Sequence, residues 1–127
     1  MKKIWLFIFG GYVYCFIEVL WRGKTHWSMA LAGGTVVLLL SAVQKKTGVL
    51  GFLFASAVTI TLTELLFGII FNIFLKMNVW DYSGMDYNIA GQICLPYTLL
   101  WFALGFPVYY IIGQIKRAIF PDMKPYR

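Results

Sequence analysis

The sequence is 127 residues long, 61% of them hydrophobic and only 13% charged, with a mean hydropathy of +0.76. A water-soluble domain of this size carries about a quarter of its residues charged, so there is too little polar surface here to coat a soluble globule, and lipid must cover the rest. The net charge of +6 does not indicate nucleic acid, because the basic residues sit in the gaps between apolar runs and form no stripe interleaved with polar contacts.

Four apolar runs predict four membrane-crossing helices over residues 4–21, 27–43, 49–75 and 89–113, followed by a basic tail at 114–127. Each run is close to or above the roughly 20 residues a helix needs to cross about 30 Å of hydrocarbon. An open sheet would leave backbone groups unpaired in lipid, and the alternation of a membrane barrel is absent. The expected fold is an all-α integral membrane protein, an antiparallel four-helix bundle forming a single transmembrane domain. Lys2 and Lys3 before the first run resemble a signal peptide, and Ala30-Leu31-Ala32 supplies an A-x-A triplet. That triplet lies too far downstream, within the second run, so a retained signal-anchor helix is the better reading.

With a cytoplasmic N-terminus, that side collects Lys2, Lys3, Lys45, Lys46, Lys116, Arg117, Lys124 and Arg127, leaving Arg22, Lys24 and Lys76 opposite. Such retention of Lys and Arg predicts that both termini are cytoplasmic. Trp27, Trp80, Tyr82 and Tyr87 then form an outer aromatic belt. The first two connections are short and imply hairpins. The third, from Lys76 to Asn88, mixes aromatic, acidic and turn-forming residues, and Asn88 is placed to cap the fourth helix. Pro96 falls near the start of that helix, and Pro107 is expected to kink it.

Polar residues within these helices are the main functional clue, because a charge near the bilayer centre costs at least about 2.5 to 3.5 kcal/mol. Glu18 lies about 8 Å outward of the middle of the first helix, and Glu64 sits nearer the midplane. Gly11, Tyr14, Cys15, Glu18 and Arg22 share one face at spacings of three and four, with Glu18 and Arg22 in the favourable i, i+4 order. Ala57, Thr61, Glu64, Gly68 and Asn72 make a second stripe. Gly91, Cys94, Thr98, Trp101 and Gly105, with Gln92 beside them, make a third. Ala30, Gly34, Val37 and Ser41 give the second helix a small-residue face. These stripes serve either helix packing or an outward-facing polar cavity.

Cys15 and Cys94 lack any zinc-type spacing and read as small apolar side chains, while His26, the single histidine, reads as an interfacial hydrogen-bonding residue. Neither a metal nor a cofactor is expected. No Walker A, HExxH or Ser-His-Asp pattern is present, so an enzyme is not expected.

Trp80-Asp81-Tyr82-Ser83, Asn88, Gly91-Gln92-Ile93-Cys94-Leu95 and Leu100-Trp101 resemble the signature of the putative ABC-transporter type IV family, the CmpB-like ABC transporter permeases. Ile17-Glu18-Val19-Leu20-Trp21-Arg22-Gly23, with His26-Trp27-Ser28-Met29 and Gly33-Gly34, looks like a short bacterial and prophage-associated branch of it. Many members carry arginine where Gln92 stands, and Arg22 is placed to take over its charge-pairing. The resemblance implies a permease-like subunit of a bacterial cytoplasmic membrane. Its expected partners are lipid, a second copy or another membrane subunit, and a separate ATPase if ATP drives it. Combined with the polar stripes, it predicts an outer vestibule for a small polar solute or lipid headgroup, formed by Glu18, Arg22, Glu64, Asn72, Trp80, Asp81, Tyr82, Asn88 and Gln92. A non-transporting scaffold or holin-like lysis protein is the alternative.

Overall fold

Backbone groups in hydrocarbon have no water to pair with, so each apolar run closes its hydrogen bonds internally as a helix. The computed structural model describes residues 2–44 and 46–119. Helix α1 spans Lys2–Arg22, α2 Trp27–Gln44, α3 Val49–Phe67 and α4 Leu95–Ile119. A π-helical segment, Gly68–Phe74, prolongs α3. All four helices are long and apolar enough to cross a membrane, the shortest having 18 residues, or about 27 Å at 1.5 Å per residue.

The ends of the fourth element differ from the sequence expectation. Residues 89–94 are not helical: strands β1 (Asn88–Ile89) and β2 (Ile93–Cys94) pair antiparallel as a minimal hairpin, so Asn88 does not cap α4. The turn between them holds Ala90 at φ 54° and Gly91 at φ 70°, which no α-helix accommodates. The helix begins at Leu95, leaving Pro96 in its first turn, where its missing N–H has no helical partner to lose. At the other end α4 continues through 114–119 of the expected tail. Lys116 is buried there, its Nζ donating to the carbonyl of Ser41. Lys45, Lys124 and Arg127, used in the charge count, lie outside the described residues, as does the tail from 120 onward.

Close approach of α1 and α2 rests on glycine. A Cβ at Gly10 would lie 2.8 Å from the Gly33 carbonyl oxygen, one at Gly11 2.7 Å from that of Ala30, and one at Gly34 2.7 Å from that of Phe7. Helices in lipid associate through such contacts because the hydrophobic effect offers them little. Helix α2 packs in turn on α3, and α3 on α4. One apolar core gathers Val36, Leu40, Phe52, Tyr109 and Ile112. The other joins Met29, Ala32 and Phe71 to Val79 and Trp80 of the segment after α3, which therefore folds back over the end of the bundle where α1 meets α2. Large apolar side chains such as Trp5, Phe16, Leu20, Phe54 and Leu62 face outward, as a lipid-coated surface requires. Both cysteines are free, and His26 Nδ1 accepts the Ser28 backbone N–H at the start of α2.

Candidate functional site

The segment between the π-helix and α4 is held by side-chain amides. Asn72 Oδ1 accepts the Val79 N–H at 2.6 Å, and Asn72 Nδ2 donates to Gln92 Oε1 at 2.8 Å. Gln92 Nε2 donates to the Ala90 carbonyl at 2.9 Å, and the Gln92 carbonyl accepts Trp80 Nε1 at 3.0 Å. Gly68 lets this amide lie against the helix, since a Cβ there would sit 2.5 Å from Gln92 Oε1. Further along, Asn88 donates to the Met85 carbonyl at 2.9 Å and accepts the Gly91 N–H at 3.1 Å. The backbone joins across the segment where Tyr82 N–H donates to the Gly91 carbonyl at 2.7 Å. Lys76, Asn78, Tyr87 and Ala90 all take positive φ here. Such conformations persist only where the surroundings over-determine them.

Asp81 belongs to the same scaffold. Its Oδ1 accepts the Ser83 backbone N–H at 2.9 Å, and that bond, with the Ser83 side chain, holds the exposed carboxyl below its ordinary value of 3.8. A depressed folded pKa means that the turn's stabilisation is fully present above the ordinary value and is lost as pH falls through the folded one. Acidification from about pH 5 to about pH 2 is therefore expected to speed amide exchange at Ser83, and Asp81→Asn to remove that pH dependence. An unchanged exchange rate across this range would rule out the linkage.

The ordered segment presents Tyr82 to a groove of about 310 Å³ between α1 and α4. From α1 come Tyr14, Glu18, Trp21 and Arg22; from α4 come Tyr97 and Trp101. Arg22 Nη2 meets Glu18 Oε2 at 2.8 Å as an ion pair, although the approach angle is poor for a hydrogen bond. Arg22 Nη1 donates to the Val79 carbonyl at 3.1 Å, tying α1 to the folded-back segment. Glu64 is buried, 6% exposed, behind the groove wall. Its carboxyl faces Trp101, Tyr82, Glu18 and Tyr14. Trp101 Nε1 is within electrostatic reach of it but has no hydrogen-bond partner of ordinary geometry. Burial, and next the Glu64 charge, push the Tyr82 phenol well above its usual value, so it stays a donor throughout the physiological range.

The nine residues expected at an outer vestibule thus divide. Glu18, Arg22 and Tyr82 line the groove and Glu64 backs it. Asn72, Trp80, Asp81, Asn88 and Gln92 hold the segment that forms one of its walls, through bonds directed at their own neighbours. Tyr14 and Trp101 stood on the predicted helix faces without being assigned to the site. Tyr97 was missed, although its place one turn before Trp101 in α4 put both on one face.

The sequence matches the family described as Putative ABC-transporter type IV over residues 5–126, nearly its whole length. No curated protein and no solved structure gives a significant match. The family's name and four helices able to cross a bilayer agree in describing a multi-pass membrane protein. The chain therefore belongs to the Putative ABC-transporter type IV family.

Proposed function

We propose that the chain is a permease-like subunit of a bacterial cytoplasmic membrane, an antiparallel bundle with both termini cytoplasmic, whose α1–α4 groove opens outward to receive a polar solute or lipid headgroup. The observation that carries this reading is the groove itself: a recess beside an ion pair, with a buried carboxyl group behind its wall. A chain that needed only to pack would close α4 against α1, as small-residue faces permit. The antiparallel arrangement is supported by the falling order of α2 partners along α1, from Phe7 against Gly34 to Gly11 against Ala30. Charge retention supports the orientation. The protein acts without catalysing a covalent change. Four helices enclose little of a pathway alone, so a second copy or a partner membrane subunit completes it, and a separate ATPase supplies energy if ATP drives it.

Proteoliposomes carrying the wild-type protein are expected to bind or exchange at least one of labelled choline, inorganic phosphate and glycine above empty vesicles. Glu64→Gln should reduce that signal about tenfold or more, because it removes the one ionisable group behind the wall. Vesicles that neither bind nor move any of the three, with Glu64→Gln cells behaving as wild type, would sink the proposal.

A further inference from the structure

We infer that the α1–α4 groove binds an amphiphilic organic cation, its charged head among Tyr82, Tyr97, Trp101 and Glu18 and its apolar part along the seam between the helices. This names the ligand class of the site proposed above and rests on that reading. Rings, charge and shape carry it independently.

The wall is a continuous set of aromatic rings. Tyr82 stacks on Tyr97 with centroids 4.9 Å apart and planes 25° apart. Tyr97 lies 6.4 Å from Trp101 at 27°, and Trp101 lies 6.4 Å from Tyr14. Aromatic faces carry the negative part of the ring quadrupole, so such a wall attracts a poorly hydrated cation and repels an anion.

The charges agree with the rings. Two carboxyl groups, Glu18 and Glu64, stand near one guanidinium, that of Arg22. Arg22 holds Nη2 against Glu18 as an ion pair and donates Nη1 to the Val79 carbonyl, so its charge is already balanced by Glu18, although its Nε has no hydrogen-bond partner among the described residues. Glu64 is 94% buried by its 6% exposure, and none of the groups facing it, Trp101, Glu18, Tyr82 and Tyr14, is basic. A bound cation beyond the Tyr82 and Trp101 rings would favour the ionised form of Glu64 at short range, in a medium that screens the attraction little.

The shape selects an amphiphile over a small hydrophilic ion. Past Tyr14, Ile17, Trp101 and Leu104 the groove continues into a second hollow of about 100 Å³, walled by Val36, Ile60 and Val108. Hydrocarbon fills such a space favourably, whereas a hydrated ion leaves it empty.

Tetraphenylphosphonium and tetraphenylborate are of nearly one size and shape and opposite in charge, which makes them the deciding probes. Equilibrium dialysis against the full chain in nanodiscs of zwitterionic lipid, with empty nanodiscs subtracted, should show saturable phosphonium binding and none of the borate. Tyr97→Leu keeps apolar bulk without the ring face and is expected to weaken the phosphonium about fivefold or more. Glu18→Gln, which leaves Arg22 unopposed, should weaken it about tenfold. Gly84→Ala, at a position where a Cβ meets nothing within 4 Å, should change neither. Equal binding of the two ions, binding of the borate alone, or a folded Tyr97→Leu protein that binds as wild type would overturn the cation site. The ion comparison needs no variant, so poor folding of either substitution leaves the test intact. If choline, phosphate or glycine binds or moves while the phosphonium does not, this inference fails and the permease reading stands. If the phosphonium binds and nothing moves, the cation site stands and transport fails.

Discussion

Gly33→Ala is expected to destabilise the protein by about 2 to 4 kcal/mol, and Gly33→Val to prevent α1 from docking at all. The added Cβ of alanine would lie 2.4 Å from Tyr14 Cβ and 2.7 Å from the Gly10 carbonyl oxygen. Neither neighbour is the free end of a side chain, so relief requires the two helix axes to move apart. The separation then weakens every contact along the seam, including Gly34 against Phe7 and Gly11 against Ala30, because dispersion falls off within an ångström of optimal distance. Since α1 carries Tyr14, Glu18 and Arg22, the groove loses one wall as well. Thermal denaturation in detergent provides the measurement, with Gly48→Ala as the control because a Cβ there meets nothing within 4 Å. Gly10→Ala, which presses on the same Gly33 carbonyl at 2.8 Å, should be non-additive with Gly33→Ala. Once the helices have separated, the second methyl finds space. A Gly33→Ala protein melting with the wild type would show that the seam tolerates separation.

This seam was only partly legible in the sequence. Ala30, Gly34 and Val37 stood out as a small-residue face, and each does contact α1. Gly10 and Gly33 carried no spacing signal distinguishing them from other small residues in apolar runs; their weight comes from the partner helix, which a single sequence does not reveal. The membrane-crossing helices were legible because the length of an apolar run is itself the physical requirement for spanning. The start of α4 was not. Ile89, Ala90, Ile93 and Cys94 extend the hydropathy of the helix backwards, but the reversal at Ala90 and Gly91 is set by backbone bonds such as Tyr82 N–H to the Gly91 carbonyl. Pro96 was the available local signal, since proline favours the first turn of a helix and here stands one residue after the true start.

The site shows the same division. Charge and spacing identified Glu18 with Arg22, and the structure pairs them at 2.8 Å. Polarity alone could not separate residues facing the groove from those holding its wall. Asn72, Asn88 and Gln92 are as hydrophilic as a ligand contact would be, yet their amides satisfy backbone and one another. Buried amides need partners wherever they lie, and only the folded segment after α3 shows where those partners are. In the opposite direction, Tyr14 and Trp101 lay on stripes that fitted packing as well as a cavity, and Tyr97 carried no polarity signal, because hydropathy treats aromatic rings as apolar mass. The structure brings all three to the lining of one groove.

Asn72→Leu is expected to cost about 2 to 5 kcal/mol and to concentrate its effect on the segment from Val79 to Gln92. The substitution keeps similar bulk but strands the Val79 N–H and Gln92 Oε1, both now without the partners they have at 2.6 and 2.8 Å. Leaving a buried donor and acceptor unpaired costs about 1 to 3 kcal/mol each, more than the net worth of the bonds removed. The cost arises at a junction: Asn72 lies in the π-helical turn, while Val79 lies on the approach to the strand hairpin and Gln92 in the turn between its strands. Val79 also offers the carbonyl that holds Arg22, and the same segment carries Tyr82 into the groove. Loosening it should therefore raise amide exchange at Val79, Tyr82 and Gln92 while amides in the Phe52 and Tyr109 core keep wild-type protection. Unchanged exchange at Val79 would mean that the hairpin, not Asn72, orders the segment. Asn88→Ala separates the two, because it removes the contacts to Met85 and Gly91 within the segment and leaves the attachment to Asn72 in place. A larger effect from Asn72→Leu than from Asn88→Ala would establish that the groove's third wall hangs from the end of α3, and that α1 is anchored to the bundle there through Arg22 as well as along its glycine seam.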